Sequence, residues 1–186
     1  MLGKAAITVI HYFTEDTDFQ FEHAACATPW IRQVIRQEKH QLSELNFIFC
    51  SDAYLHDKNL RYLQQDTHTD VLTFDYAEVP QTLAGDIYLS IDRIRAHAPT
   101  YHHTLWQELY TVMVHGVLHL LGYDDRDTCA RAQMRAQEAM YLAQITTPAG
   151  ECICSVLSCN SLYPTVDLHL TSQSSTVSTV QHCEYK

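Results

Sequence analysis

Two histidines four residues apart, followed at fixed offsets by a glycine and a carboxylate, restrict what this chain can build. The stretch reads His115-Gly116-Val117-Leu118-His119-Leu120-Leu121-Gly122-Tyr123-Asp124-Asp125. On a helix the four-residue spacing puts both imidazoles on one face, about 5–6 Å apart at Cβ. Two neutral imidazoles so placed can grip one metal ion. Gly122 follows three residues later, and glycine reaches positive φ at little cost, so it can end the helix and turn the chain back. Asp125 arrives after that turn, where a carboxylate can close a third side of the site. Three protein ligands leave a position for water, which separates catalytic zinc sites from closed structural ones. With 12 histidines in the chain, such a pair alone can arise by chance; the glycine and the carboxylate make it a candidate site.

The order H-x3-H-x2-G-x2-[H/D] resembles the zinc helix of metzincin-like proteases. Those proteases carry Glu directly after the first histidine as general base. Here that residue is Gly116, so a peptidase is a poor fit.

At 186 residues the chain is one domain, or one domain and a tail. A formal net charge of −10 does not suit a general nucleic-acid binder, because phosphate contacts need Lys and Arg. Any RNA role must rest on a local basic strip or on the metal. The opening residues MLGKAAITVIHYF show no secretory signal or membrane span, which leads us to expect a reducing cytosol, where disulfides are rare. Of the seven cysteines, Cys26, Cys50 and Cys129 read as small buried hydrophobes. The other four, Cys152, Cys154, Cys159 and Cys183, fall near the C-terminus. Their C-x-C-x4-C core lacks the paired spacing of zinc fingers.

The periodicities predict a mixed α/β (α+β) domain with a small four-stranded sheet and several helices. Strands are expected at residues 7–13, 45–50, 71–74 and 85–90. Helices are expected from Thr28-Pro29 to about Lys39, from Ser51-Asp52 to about Gln64, over 91–97 with a stop at Pro99, and from Thr128 to Ile145. Thr104 is placed to cap the long helix that carries the histidines, whose Leu105, Leu109, Val112, Met113 and Val117 form a broad apolar face. The segment 76–83, with Pro80, reads as a loop. We divide the chain into a domain over 1–148 and a Ser/Thr/Cys-containing tail over 149–186, expected to be disordered because 171–180 (TSQSSTVSTV) lacks charge and helical period.

Three segments together resemble the YbeY family of bacterial endoribonucleases and rRNA maturation factors. His115–Asp125 resembles its HGxLHLxGYDH, Thr69–Phe74 (TDVLTF) resembles its TDVLSF, and Gly85-Asp86-Ile87 resembles its GDI. The resemblance covers about residues 5–145. It implies a zinc-dependent, single-strand-specific endoribonuclease acting in 16S rRNA 3′-end maturation and ribosome quality control. It also implies a cytoplasmic protein that meets rRNA and the small ribosomal subunit, without DNA or membrane partners. The family's zinc ligands map onto His115, His119 and position 125, which is Asp here instead of the usual His. One Zn2+ per chain is expected, since carboxylate is an accepted zinc ligand, with more tolerance of other divalent ions. Many members also carry Arg six residues before the Thr of TDVLSF; here that position is Leu63. Arg93 and Arg95 are the candidates to take over its contact with RNA.

In such a site zinc would lower the pKa of a bound water toward ~7, or would neutralise the scissile phosphate while the ribose 2′-OH attacks. Asp124 is a candidate base or anchor, with a solvated turn residue as the alternative. Two other classes compete with the nuclease. One is a non-catalytic zinc-containing ribosome assembly factor. The other is a two-His-one-carboxylate iron enzyme, against which stands the origin of both histidines on one helix rather than across a barrel.

Overall fold

The computed structural model describes residues 8–145. In chain order the elements are β1 (Val9–Glu15), α1 (Ala24–Gln37), β2 (Gln41–Cys50), α2 (Asp52–Lys58) running into a π-helical turn (Asn59–Leu63), β3 (Val71–Asp75), β4 (Thr82–Ser90), α3 (Ile91–Thr100), α4 (Leu105–Leu120) and α5 (Thr128–Leu142). The fold class is the expected one, a mixed α/β domain on a four-stranded sheet. The sheet order is β1-β2-β4-β3. β1, β2 and β4 run parallel, and β3 closes one edge antiparallel to β4.

Alternation along the strands explains the layering. Leu45, Phe47, Phe49, Ile87 and Leu89 point to one face and are fully buried beneath α1 and α4. Cys50 and Leu72 point the other way and are covered by Leu55 of α2. A face covered by helices must be apolar at every second residue, and β2 and β4 obey this. α4 is buried over most of its length, because α3, α5, β3 and β4 all pack against it. Two contacts lock α5 onto this core. Trp30 Nε1 donates to the Tyr141 carbonyl at 2.8 Å, and Glu38 receives the hydroxyls of both Tyr123 and Tyr141.

Several boundaries differ from the sequence reading. The first long helix starts at Ala24 behind His23, and Pro29 lies inside it. Pro29 breaks no long run there, since only one turn precedes it, and Thr28 bonds Tyr12 Oη at 3.0 Å instead of capping. α3 likewise continues through Pro99 to Thr100, where one missing N–H falls in the last turn. β4 begins at Thr82, inside the expected loop. The cap of α5 is Asp127, whose Oδ1 accepts from the backbone of Cys129 and Ala130 at 2.8 and 2.9 Å. Cys50 is buried as expected, but Cys26 is half-buried and Cys129 exposed. The boundary at 148 and the tail 149–186 lie outside the described residues. Among the described residues no helix is long and apolar enough to cross a membrane.

Candidate metal centre

α4 carries the two histidines on a well-terminated helix. At its start Thr104 and Gln107 form a reciprocal capping box: Gln107 N–H donates to Thr104 Oγ1 at 3.2 Å, and Thr104 N–H donates to Gln107 Oε1 at 2.8 Å. At its end Tyr123 N–H reaches back to the Leu118 carbonyl and Gly122 N–H to that of His119, both at 3.0 Å. That pair of bonds, with Gly122 at φ +93°, is the Schellman arrangement that glycine permits. The chain reverses there and brings Asp125 beside the histidines.

The donor atoms of His115, His119 and Asp125 lie within 4.8 Å of one another, and all three residues are half-buried. His115 Nδ1 bonds Glu138 Oε1 at 2.6 Å, and His119 Nδ1 bonds the Tyr123 carbonyl at 3.1 Å. Both partners accept, so each Nδ1 carries a proton and each Nε2 offers a lone pair. The two Nε2 atoms face each other at 2.9 Å. Two acceptors that close require a cation between them, a proton or a metal ion. Two imidazole nitrogens on one tetrahedral zinc would stand about 3.3 Å apart, so small adjustments admit the ion. The donor set therefore fits a divalent metal. Burial pushes the pKa of His115 down, but the bond and charge of Glu138, together with the charges of Asp70 and Asp125, outweigh it and the net shift is upward. Burial and the neighbouring His115 lower that of His119.

The triad opens into a groove of about 610 Å³ between residues 67–73, α4 and α5. Asp70 and Glu108 also line it. Burial pushes the carboxyl of Asp70 up, yet His97, 3.6 Å away, and His115 outweigh this and hold it below the usual range. Glu108 is buried and its pKa is raised by that burial, although His103 Nδ1 bonds it at 2.7 Å.

Asp124 lines the groove, but its carboxylate is engaged. Oδ1 accepts from the backbone N–H of Asp125 and Arg126 at 2.8 and 3.2 Å, and Arg126 Nε donates to both oxygens. The bond from Arg126 holds its pKa below the usual carboxylate range, which suits an anchor of the turn better than a base. Arg93 and Arg95 do not line the groove. Arg93 donates to Asp52 Oδ1 at 2.6 Å on α3, and Arg95 is exposed on the same helix. The groove's arginines are Arg126, Arg131 and Arg135. Leu63 does line the groove, so the replaced position faces the expected place. Sequence reasoning missed Glu138, Glu108 and the three groove arginines. Their signal was weak, because only the packing of α5 against α4 decides which face of α5 meets the site.

The sequence profile described as Endoribonuclease YbeY matches residues 10–146. Among curated proteins, an Endoribonuclease YbeY from Amoebophilus asiaticus is 54% identical over 133 residues, 72% of this chain and 90% of the relative. Another from Cytophaga hutchinsonii is 43% identical over 129 residues, 69% of this chain and 90% of the relative. Among solved structures, a Thermotoga maritima protein determined in solution superposes with a TM-score of 0.52 at 26% identity, covering 72% of this chain and 86% of that one.

Proposed function

The chain belongs to the YbeY endoribonuclease family, and we propose that it is a zinc-dependent, single-strand-specific endoribonuclease acting in 16S rRNA 3′-end maturation and ribosome quality control. The observation that carries this reading is the convergence of two Nε2 lone pairs and the Asp125 carboxylate at a groove. The activity is assigned to the domain 1–148, which the profile match over 10–146 supports. The partners are single-stranded RNA, rRNA and the small ribosomal subunit, in the cytoplasm.

His115, His119 and Asp125 would hold the zinc, which when bound supplies a Lewis acid for a phosphodiester and its attacking oxygen. Glu138 fixes the ring plane and tautomer of His115, and the Tyr123 carbonyl does the same for His119. Asp124 keeps the turn shaped so that Asp125 faces the pair. The half-burial of the ligands limits water around the site, which strengthens every charge interaction in it.

The test joins metal content with cleavage. Purified protein should carry about one zinc per chain and cut single-stranded RNA, while a folded His115→Ala protein should do neither. In chelator competition Asp125→Asn should bind zinc more weakly, whereas Asp125→His should retain it, since zinc accepts imidazole nitrogen and carboxylate oxygen at similar distances. RNA cleavage that survives in His115→Ala would refute the assignment. Binding of RNA without cleavage by the zinc-loaded protein would favour the assembly-factor reading.

A further inference from the structure

An acidic chain that handles RNA needs cations where the phosphates lie, and the groove has three arginines. They are not equivalent. Arg126 donates through Nε to both oxygens of Asp124, at 3.0 and 2.9 Å, so its charge is already matched. Arg131 is bonded differently. Its Nε donates to the Asp125 carbonyl at 3.1 Å, and a terminal nitrogen reaches the Arg126 carbonyl at 3.5 Å. Carbonyls fix a guanidinium without cancelling its charge. Among the described residues no carboxylate lies within ion-pair distance of Arg131. Arg135 follows four residues later on α5 and lines the same groove, one helical turn farther along.

We infer that Arg131 is the phosphate-positioning residue of this chain, doing from α5 what the arginine missing at position 63 would do from the turn after α2. This rests on the proposed RNA substrate. The argument is geometric. Arg131 is pinned to the backbone of Asp125, a proposed metal ligand, so a phosphate that reaches the metal comes within range of its guanidinium. Leu63 lines the same groove from another element and is 47% exposed, so it offers no charge but leaves room for one. A planar guanidinium suits two phosphate oxygens at once. Asp125 makes the second demand for a cation. With a carboxylate in place of a third imidazole, the metal site is one charge less positive toward an incoming phosphate, and a fixed arginine beside it offsets that loss.

The experiment uses the full chain loaded with zinc and a fluorescent single-stranded RNA oligonucleotide. The dissociation constant is measured across a salt series, with KM and kcat for cleavage and zinc affinity by chelator competition. Arg131→Ala should weaken binding roughly tenfold and make the log–log salt slope shallower by about 0.7, one phosphate contact on a single strand. Arg36→Ala, an equal charge change on the exposed end of α1, should leave both unchanged. Arg131→Ala also removes the bond to the Asp125 carbonyl, so the deciding variant is Arg131→Ala/Leu63→Arg. A cation restored at position 63 touches no part of the turn at Asp125, and it should recover most of the lost affinity and the slope. Three outcomes overturn the inference: wild-type binding in Arg131→Ala, the same loss in Arg36→Ala, or no recovery in the double variant. If the wild type cuts RNA in any of these cases, the proposed function stands while Arg131 loses its role. A wild type that neither binds nor cuts RNA removes both.

Discussion

Gly116→Ala is the substitution whose outcome the structure constrains most tightly. In the interior of a helix, Ala is favoured over Gly by about 1 kcal/mol, so propensity alone predicts a more stable protein. Packing predicts the reverse. A methyl group at position 116 would stand 2.7 Å from Ile87 Cγ2 and 3.3 Å from both Ile87 Cδ1 and Val71 Cγ2. Ile87 is fully buried at the centre of β4, and its Cγ2 is attached to the stiff branched carbon, so it cannot swing aside. Overpacking of this kind costs about 1–3 kcal/mol, and a rigid partner places it in the upper part of that range. The net result should be a loss of about 1–2 kcal/mol, or a melting temperature lower by roughly 3–8 °C for a domain of this size.

Urea and thermal unfolding of metal-free protein measure that loss, and chelator competition follows zinc binding at the proposed site, since moving α4 off the sheet displaces both histidines. Ile87→Ala alone should cost about 2–5 kcal/mol. In the double variant the methyl at 116 occupies part of the vacated space, so the combined loss should fall short of the sum by about 1 kcal/mol or more. A Gly116→Ala protein as stable as wild type, or more stable, would show that the helix does not approach β4 as closely as described. The same contact bears on chemistry. Metzincin-like proteases place their base at this position, and here no side chain fits there.

Two further outcomes are expected. Glu138→Gln should weaken zinc binding roughly 10–100-fold by chelator competition with little change in unfolding temperature; unchanged affinity would remove Glu138 from the site. Burial raises the folded-state pKa of Glu108, so its ionisation disfavours the folded state as pH rises from below the ordinary Glu value of about 4.3. Relative to wild type, Glu108→Gln should thus gain stability in urea between acid and neutral pH, and a relative loss over that interval would contradict the buried, charge-disfavouring setting.

The cluster of His115, His119 and Asp125 was legible because its information is local. Spacings of four, three and three residues are converted to geometry by a helix and one glycine turn, and both obey backbone rules. The capping box at Thr104 and Gln107 was half visible for the same reason. Strand positions came from alternation, which survives any tertiary arrangement that buries one face. What failed was information carried between elements. Glu138 lies 23 residues from His115, and nothing in α5 alone says which side meets α4. Arg93 and Arg95 were nominated from the chain near the family's missing arginine, whereas Asp52 occupies Arg93 and α5 supplies the groove cations. Thr28-Pro29 looked like a helix start because proline is favoured in a first turn. The residues before it, Ala24–Ala27, carry no polar cap to mark the true beginning.

The position of Asp125 shows how an irregular segment can build a site. Residues 121–127 link α4 to α5 without regular structure, yet their polar groups are used. The N–H groups of Leu121, Gly122 and Tyr123 return to carbonyls of α4. The Tyr123 carbonyl accepts from His119, and its hydroxyl donates to Glu38 at 3.1 Å. Asp124 accepts from the next two backbone N–H groups, Arg131 holds the Asp125 carbonyl, and Asp127 caps α5. A loop bonded at each step has little conformational freedom left to lose when a metal binds. Asp125 is therefore delivered to the histidines by folding. Changes at Asp124 or Glu38 should therefore act on metal affinity through the shape of the turn, which zinc titration against a competing chelator measures.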